Sequence, residues 1–155
     1  METEAGARAR RLAGGAGGTG TYRILVAICA VNGACAIGFG ALMMLVPLDA
    51  PLARSLDLAG LLAAMGNFPL QDAFFRDLFW PGLALALVNG TANAVATGLA
   101  CLGRTRRAVA TAGLAAGVCL IAWCAVELAF LPNPMAVGYL VIGLVQTAFA
   151  AQLRR

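Results

Sequence analysis

Four stretches of this chain stay apolar for about 20 residues or more, the length an α-helix needs to cross the hydrocarbon core of a bilayer. They cover residues 24–46, 79–102, 108–131 and 135–153. Inside hydrocarbon every backbone N–H and C=O must find its partner within the protein, so runs of this kind can cross only as helices. In a chain of 155 residues four such runs take up most of the length. The sequence therefore predicts an all-α fold, a four-transmembrane-helix bundle over residues 21–155. A flexible cytoplasmic tail is expected over residues 1–20, where "AGGAGGTG" is glycine-rich.

Composition points the same way. Hydrophobic residues make up 61% of the chain and charged ones 12%, against about 45–50% and about 25% in soluble domains. A domain this small has too much surface per volume to hide that apolar excess from water. The eleven basic residues are all arginine, and there is no histidine. With the abundance of alanine and glycine, this suggests a GC-rich bacterial coding sequence. It also removes the commonest metal ligand and general base.

The arginines give the orientation. Arg8, Arg10, Arg11 and Arg23 precede the first span, Arg104, Arg106 and Arg107 lie between the second and third, and Arg154 and Arg155 follow the fourth. With an even number of spans all of these fall on one side, while the other side holds Arg54 and Arg76 among Asp49, Asp57, Asp72 and Asp77. Positive loops mark the cytoplasm. The expectation is a multi-pass protein of the bacterial plasma membrane with both termini cytoplasmic. The first apolar run is too long for a secretory leader, and no cleavage site follows it.

The outer loop, residues 47–78, is the one sizeable connection. Leu58, Leu61, Leu62 and Met65 have the spacing of a short amphipathic helix, which "GNFP" breaks. Arg54 can pair with Asp57, and Arg76 stands four residues from Asp72. A lid lying on the bundle and the lipid interface is the expected structure, and a substrate or partner surface is the competing reading. Phe79 and Trp80 are placed at the outer interface and Tyr22 at the inner one.

Inside the spans, small residues predict close helix approach: Gly90, Ala94 and Gly98 in the second, Gly113 and Gly117 in the third, Ala36 and Gly40 in the first. Four amides, Asn32, Asn89, Asn93 and Gln146, fall near mid-span. An unpaired amide in hydrocarbon is costly, so they should face inward and bond across helices. Such bonds can serve as glue, or the amides can line a polar path or a small-ligand pocket.

Reactive chemistry finds no support. The cysteines, Cys29, Cys35, Cys101, Cys119 and Cys124, all lie in spans and form no C-x-x-C pair. No zinc spacing, phosphate loop or nucleophile–base pair stands in the sequence. No catalytic residue, metal site or cofactor is expected, and the terminal arginines, explained by topology, give no reason to expect nucleic-acid binding.

The run "FWPGLALALVNGTANAVATGLACLGRTRRAVATAGLAAGVCLIAWCAVELAFL" resembles a group of small bacterial four-span integral membrane proteins of unknown function. The features carrying the resemblance are Pro81-Gly82, the arginine-rich turn Arg104 to Arg107, Gly113 and Gly117, and Trp123 with Glu127. The run covers about a third of the chain, and the resemblance implies fold and location only. Small multidrug exporters also have four short spans, but their essential glutamate lies in the first, where this chain has Asn32.

Glu127 is the one acidic residue inside an apolar run. Intramembrane carboxylates are functional candidates by default. Near the outer end of the third span and one turn from Trp123, it is expected to face the bundle and pin the lid, through Arg76 or the backbone near Trp80. The expected function is a non-enzymatic accessory or structural membrane module, surrounded by lipid and associating with a membrane protein partner or further copies of itself. The competing reading is a small transporter or proton-linked carrier that uses Glu127 and the midplane amides.

Overall fold

The structure is a computed structural model that describes residues 4–68 and 71–155, with side chains from residue 18 onward except at residue 67. The side chains of Arg8, Arg10 and Arg11 lie outside that range. Among the described residues every regular element is helical. Four helices are long and apolar enough to span a membrane: Gly18–Leu45, Phe79–Cys101, Arg106–Phe130 and Pro134–Arg154. They are called spans one to four.

Span one is the greater part of α1, which runs Glu4–Leu45 and so reaches back through the segment expected to be a flexible tail. The loop after it folds as α2 (Pro51–Ser55), α3 (Leu58–Ala64), a 3-10 turn (Met65–Asn67) and α4 (Gln71–Phe74). Span two is composite: α5 (Phe79–Ala84), a π-helical stretch (Leu85–Thr91) and α6 (Ala92–Cys101). Spans three and four are α7 (Arg106–Phe130) and α8 (Pro134–Arg154).

Local chemistry sets these boundaries. Thr105 caps α7, its hydroxyl accepting the Ala108 N–H at 3.3 Å, so the helix starts two residues before the apolar run does. Gly103, at φ +64°, takes the left-handed turn between spans two and three that a side chain would resist. Asn133 caps α8 through the Ala136 N–H at 2.7 Å, with Pro134 in the first turn. In the loop, Asp57 adopts φ 51° and accepts the Gly60 N–H at 3.3 Å. It is thus a cap for α3 and not the partner of Arg54, which donates to the Asp49 carbonyl at 2.6 and 3.0 Å. The backbone carbonyl is nearer to the guanidinium than the carboxylate expected from spacing.

The spans pack as two pairs. Spans one and two touch backbone to backbone: a Cβ on Gly40 would sit 2.6 Å from the Gly82 carbonyl, and one on Gly82 would sit 2.6 Å from the Gly40 carbonyl. Gly90 meets Ile37, and Gly33 meets Asn93 and the Ala94 backbone. Gly98 has nothing within 4 Å, so the expected small-residue ridge of span two stops short of it. In the other pair Gly117 lies against Gly143 and Thr147, while Gly113 faces Leu25 of span one.

The end carrying the arginine turn is here called the basic end, and the end under residues 47–78 the lid end. The pairs close on one another at the basic end. A buried cluster of Leu25, Cys29, Ala96, Ala110 and Ala150 joins all four spans there. Arg106 spans the same end, donating to the Thr19 hydroxyl at 3.2 Å with its guanidinium 5.5 Å from the Tyr22 ring centroid. At the lid end the buried cluster is Met43, Ala53, Leu58 and Leu78, drawn from span one, the loop and the approach to span two. Spans three and four contribute nothing to it. The bundle is therefore tight at one end and splayed at the other.

Candidate functional site: a cavity above an amide hub

Where the splay begins, the four mid-span amides meet. Gln146 is completely buried and bonded to every other span. Its carbonyl accepts the Asn32 amide of span one at 3.4 Å. Its own amide donates to Asn93 Oδ1 of span two and to the Gly113 backbone carbonyl of span three, both at 3.0 Å. Asn93 in turn donates to the side-chain and main-chain oxygens of Asn89, each at 2.9 Å. The expectation that these residues face inward is met; Asn32, Asn93 and Gln146 bond across helices with Gln146 as the hub, while Asn89 bonds Asn93 of its own span.

The hub does not use every polar atom. Among the described residues the Asn32 Oδ1 and the Asn89 Nδ2 have no hydrogen-bond partner. Both residues line a cavity of about 650 Å³ that opens toward the lid end. Its walls are aliphatic and aromatic: Phe39 and Met43 from span one, Leu87 and Val88 from span two, Leu120 and Trp123 from span three, Met135 and Tyr139 from span four. The loop roofs it with Leu56, Leu61, Met65, Phe68, Phe74 and Phe75. Phe68 bridges two elements, its ring 5.2 Å from that of Phe75 and 5.3 Å from that of Phe130 at the end of span three. Phe79 and Trp80 are close to half exposed at this end, as interfacial aromatics are, and their rings lie 5.5 Å apart.

The π-helical stretch runs along the cavity wall through Leu85, Leu87, Val88 and Asn89. Such stretches are rare and concentrate at functional sites. Its wider turn leaves carbonyls that ordinary helical bonds would satisfy. The Thr91 hydroxyl answers them, donating to the Leu87 carbonyl, with Ala86 O at 3.5 Å.

Glu127 is half-buried and lines the cavity. Its Oε1 accepts the Asn133 side-chain amide at 3.0 Å. Asn133 also donates to the Leu131 carbonyl at 3.0 Å, so one residue caps span four and holds the carboxylate. The pairing with Arg76 is corrected. That guanidinium donates to the Asp72 carbonyl four residues earlier, a nearer acceptor on its own turn of chain. Arg76 is absent from the cavity wall, and the second carboxylate oxygen of Glu127 has no partner among the described residues. Among the described residues no arginine lines the cavity.

Of the residues singled out in the sequence, the structure brings Glu127, Trp123, Asn32 and Asn89 to one cavity, buries Asn93 and Gln146 beneath it, and leaves Arg76 outside. Asn133, Tyr139 and the loop phenylalanines were missed. Asn133 carried a readable signal, since Asn-Pro after an apolar run marks a helix start. Tyr139 looks like any residue of a span, and the phenylalanines like any apolar residue of an amphipathic loop. Among the described residues no three histidine, cysteine, aspartate or glutamate side chains gather in a way that could hold a metal ion.

Comparison with known proteins returns no matching family model, no matching curated protein and no matching solved structure. Four apolar helices make the chain consistent with an integral membrane protein.

Proposed function

We propose that this is a non-enzymatic, multi-pass protein of the bacterial plasma membrane, with both termini in the cytoplasm, that binds an apolar small molecule in the cavity under its outer loop. The cavity carries this reading. About 650 Å³ lies within the usual range for small-molecule sites, about 300–1,000 Å³, and its few polar groups converge on an otherwise apolar wall. The non-enzymatic part is supported by the hydrogen bonds: among the described residues Glu127 is bonded to Asn133 and to none of the Cys35, Cys124 and Tyr139 side chains on the same wall, and the chain has no histidine. The orientation rests on the arginine-rich turns at the basic end and is checked by reporter fusions at Arg155 and within residues 50–70. An exported C-terminal reporter refutes it.

Binding is tested by thermal unfolding of the purified chain in lipid nanodiscs against a panel of apolar small molecules. A specific stabiliser is expected, and Ala84→Phe, which places a ring in the cavity, should abolish its effect. If no molecule shifts the transition, or the shift survives Ala84→Phe, the reading fails. The accessory or structural role is supported by a different observation, the hub that ties all four spans through uncharged amides. A stoichiometric membrane protein co-purifying in mild detergent would favour that role.

A further inference from the structure

We propose that the cavity selects lipophilic cations, organic molecules that carry one positive charge on an apolar, aromatic body. This deepens the reading of the cavity as a small-molecule site and rests on it.

Three observations converge. The first is charge. Among the described residues Glu127 is the single carboxylate on the cavity wall, and no arginine is there to neutralise it. Its Oε1 is held by Asn133 at 3.0 Å while the other oxygen is left open. A half-buried carboxylate whose second oxygen is reachable from the cavity can take up a cation there, and the apolar wall around it strengthens the attraction relative to water. The outer-loop cation that spacing suggested as its partner, Arg76, is engaged elsewhere.

The second is the ring set beside it. Trp123 is one helical turn from Glu127 on the same face of span three, and both line the cavity. An indole face next to a carboxylate is a favourable setting for an organic cation, which gains from the ring quadrupole and the charge together. Tyr139, from span four, lies on the same wall and within electrostatic reach of Glu127. The third is the rest of the cavity. Phenylalanine rings from span one and the loop surround space that suits an apolar aromatic body and gives a small hydrated ion no ligands.

The full chain in nanodiscs of zwitterionic lipid allows a direct test by quenching of its two tryptophans, Trp80 and Trp123, both of which line the cavity. Three probes of similar bulk differ in charge: tetraphenylphosphonium, triphenylphosphine oxide and tetraphenylborate. The cation should bind about tenfold or more tighter than the neutral oxide, a ratio set by one carboxylate–cation contact and a ring face. The anion should bind weakest. Glu127→Gln should remove the gap between cation and oxide while leaving oxide binding intact, which also shows that the variant is folded. Trp123→Leu should lower the ratio of cation to oxide affinity. If Glu127→Gln does not fold, that ratio in Trp123→Leu decides, and an unchanged value overturns the proposal. Equal binding of cation and oxide to the native chain, or a gap that survives Glu127→Gln, overturns the charge selection and leaves the small-molecule reading standing. Failure of all three probes to bind overturns both.

Discussion

Replacing Gln146 with methionine removes the hub while keeping a flexible side chain of similar length, so the loss measured is mostly that of hydrogen bonds and not of packing. Gln146 makes three interhelical bonds, one to each other span, two at 3.0 Å and one at 3.4 Å. Such bonds average about 0.6 kcal/mol in membrane proteins, with a maximum near about 1.7. The three together are then worth about 2 kcal/mol, most of it in the two shorter bonds. Asn93 keeps its Nδ2 bonds to Asn89 after the change, but its Oδ1 and the Asn32 Nδ2 lose their partner, so about 2 kcal/mol is a lower bound. Reversible unfolding in mixed micelles, or steric trapping in bicelles, reads the difference. The bonds are shared, so Asn93→Leu, expected to cost about 1 kcal/mol alone, should make Gln146→Met cheaper in the double variant. A loss below about 0.5 kcal/mol for Gln146→Met, or full additivity with Asn93→Leu, would show that the amides are solvated by something other than each other.

Gly82→Ala should cost about 1–3 kcal/mol, because its Cβ would meet the Gly40 carbonyl at 2.6 Å and backbone cannot step aside; unfolding of the single variant checks this. Gly98→Ala, with nothing within 4 Å, serves as the control and should cost almost nothing. Asn133→Ala removes the cap of span four and should cost about 1 kcal/mol. In the probe-binding assay it should also weaken cation selection, since Glu127 loses the amide that fixes its position. Glu127→Gln and Arg76→Gln should be additive in stability, since the two side chains have separate partners. A coupling above about 0.5 kcal/mol would show that they meet.

What could be read in the sequence was what depends on the solvent. Lipid demands a run of fixed length without charge, so the four spans stood out to within a few residues of their ends, except at the start of α1. Lipid also penalises unpaired amides, so the sequence alone turns Asn32, Asn89, Asn93 and Gln146 inward. The pairing pattern was not legible, because Gly90, Ala94 and Gly98 share a helical face whether or not a neighbour covers it. The π-helical turn has no compositional mark in an Ala- and Leu-rich span. The cavity arises from the splay of two helix pairs, a property of crossing angles that no single segment encodes. Glu127 was found by its charge, but its partner was not. Spacing suggested a cation, and the structure supplies an amide in the three-residue link to the next helix.

The hub also bears on the order in which the bundle can be built. Gln146 belongs to span four, which leaves the ribosome after the other three, and it links the amides of Asn32 and Asn93. While the first three spans are in the membrane without the fourth, Asn32 and the Oδ1 of Asn93 face an empty place and must borrow water, lipid headgroups or an insertion factor. Arrival of span four exchanges those temporary partners for Gln146 in one step. Span four thus works as a latch, and a nascent chain stalled before residue 146 should be held open, easily extracted and readily degraded, although the other three spans are already made.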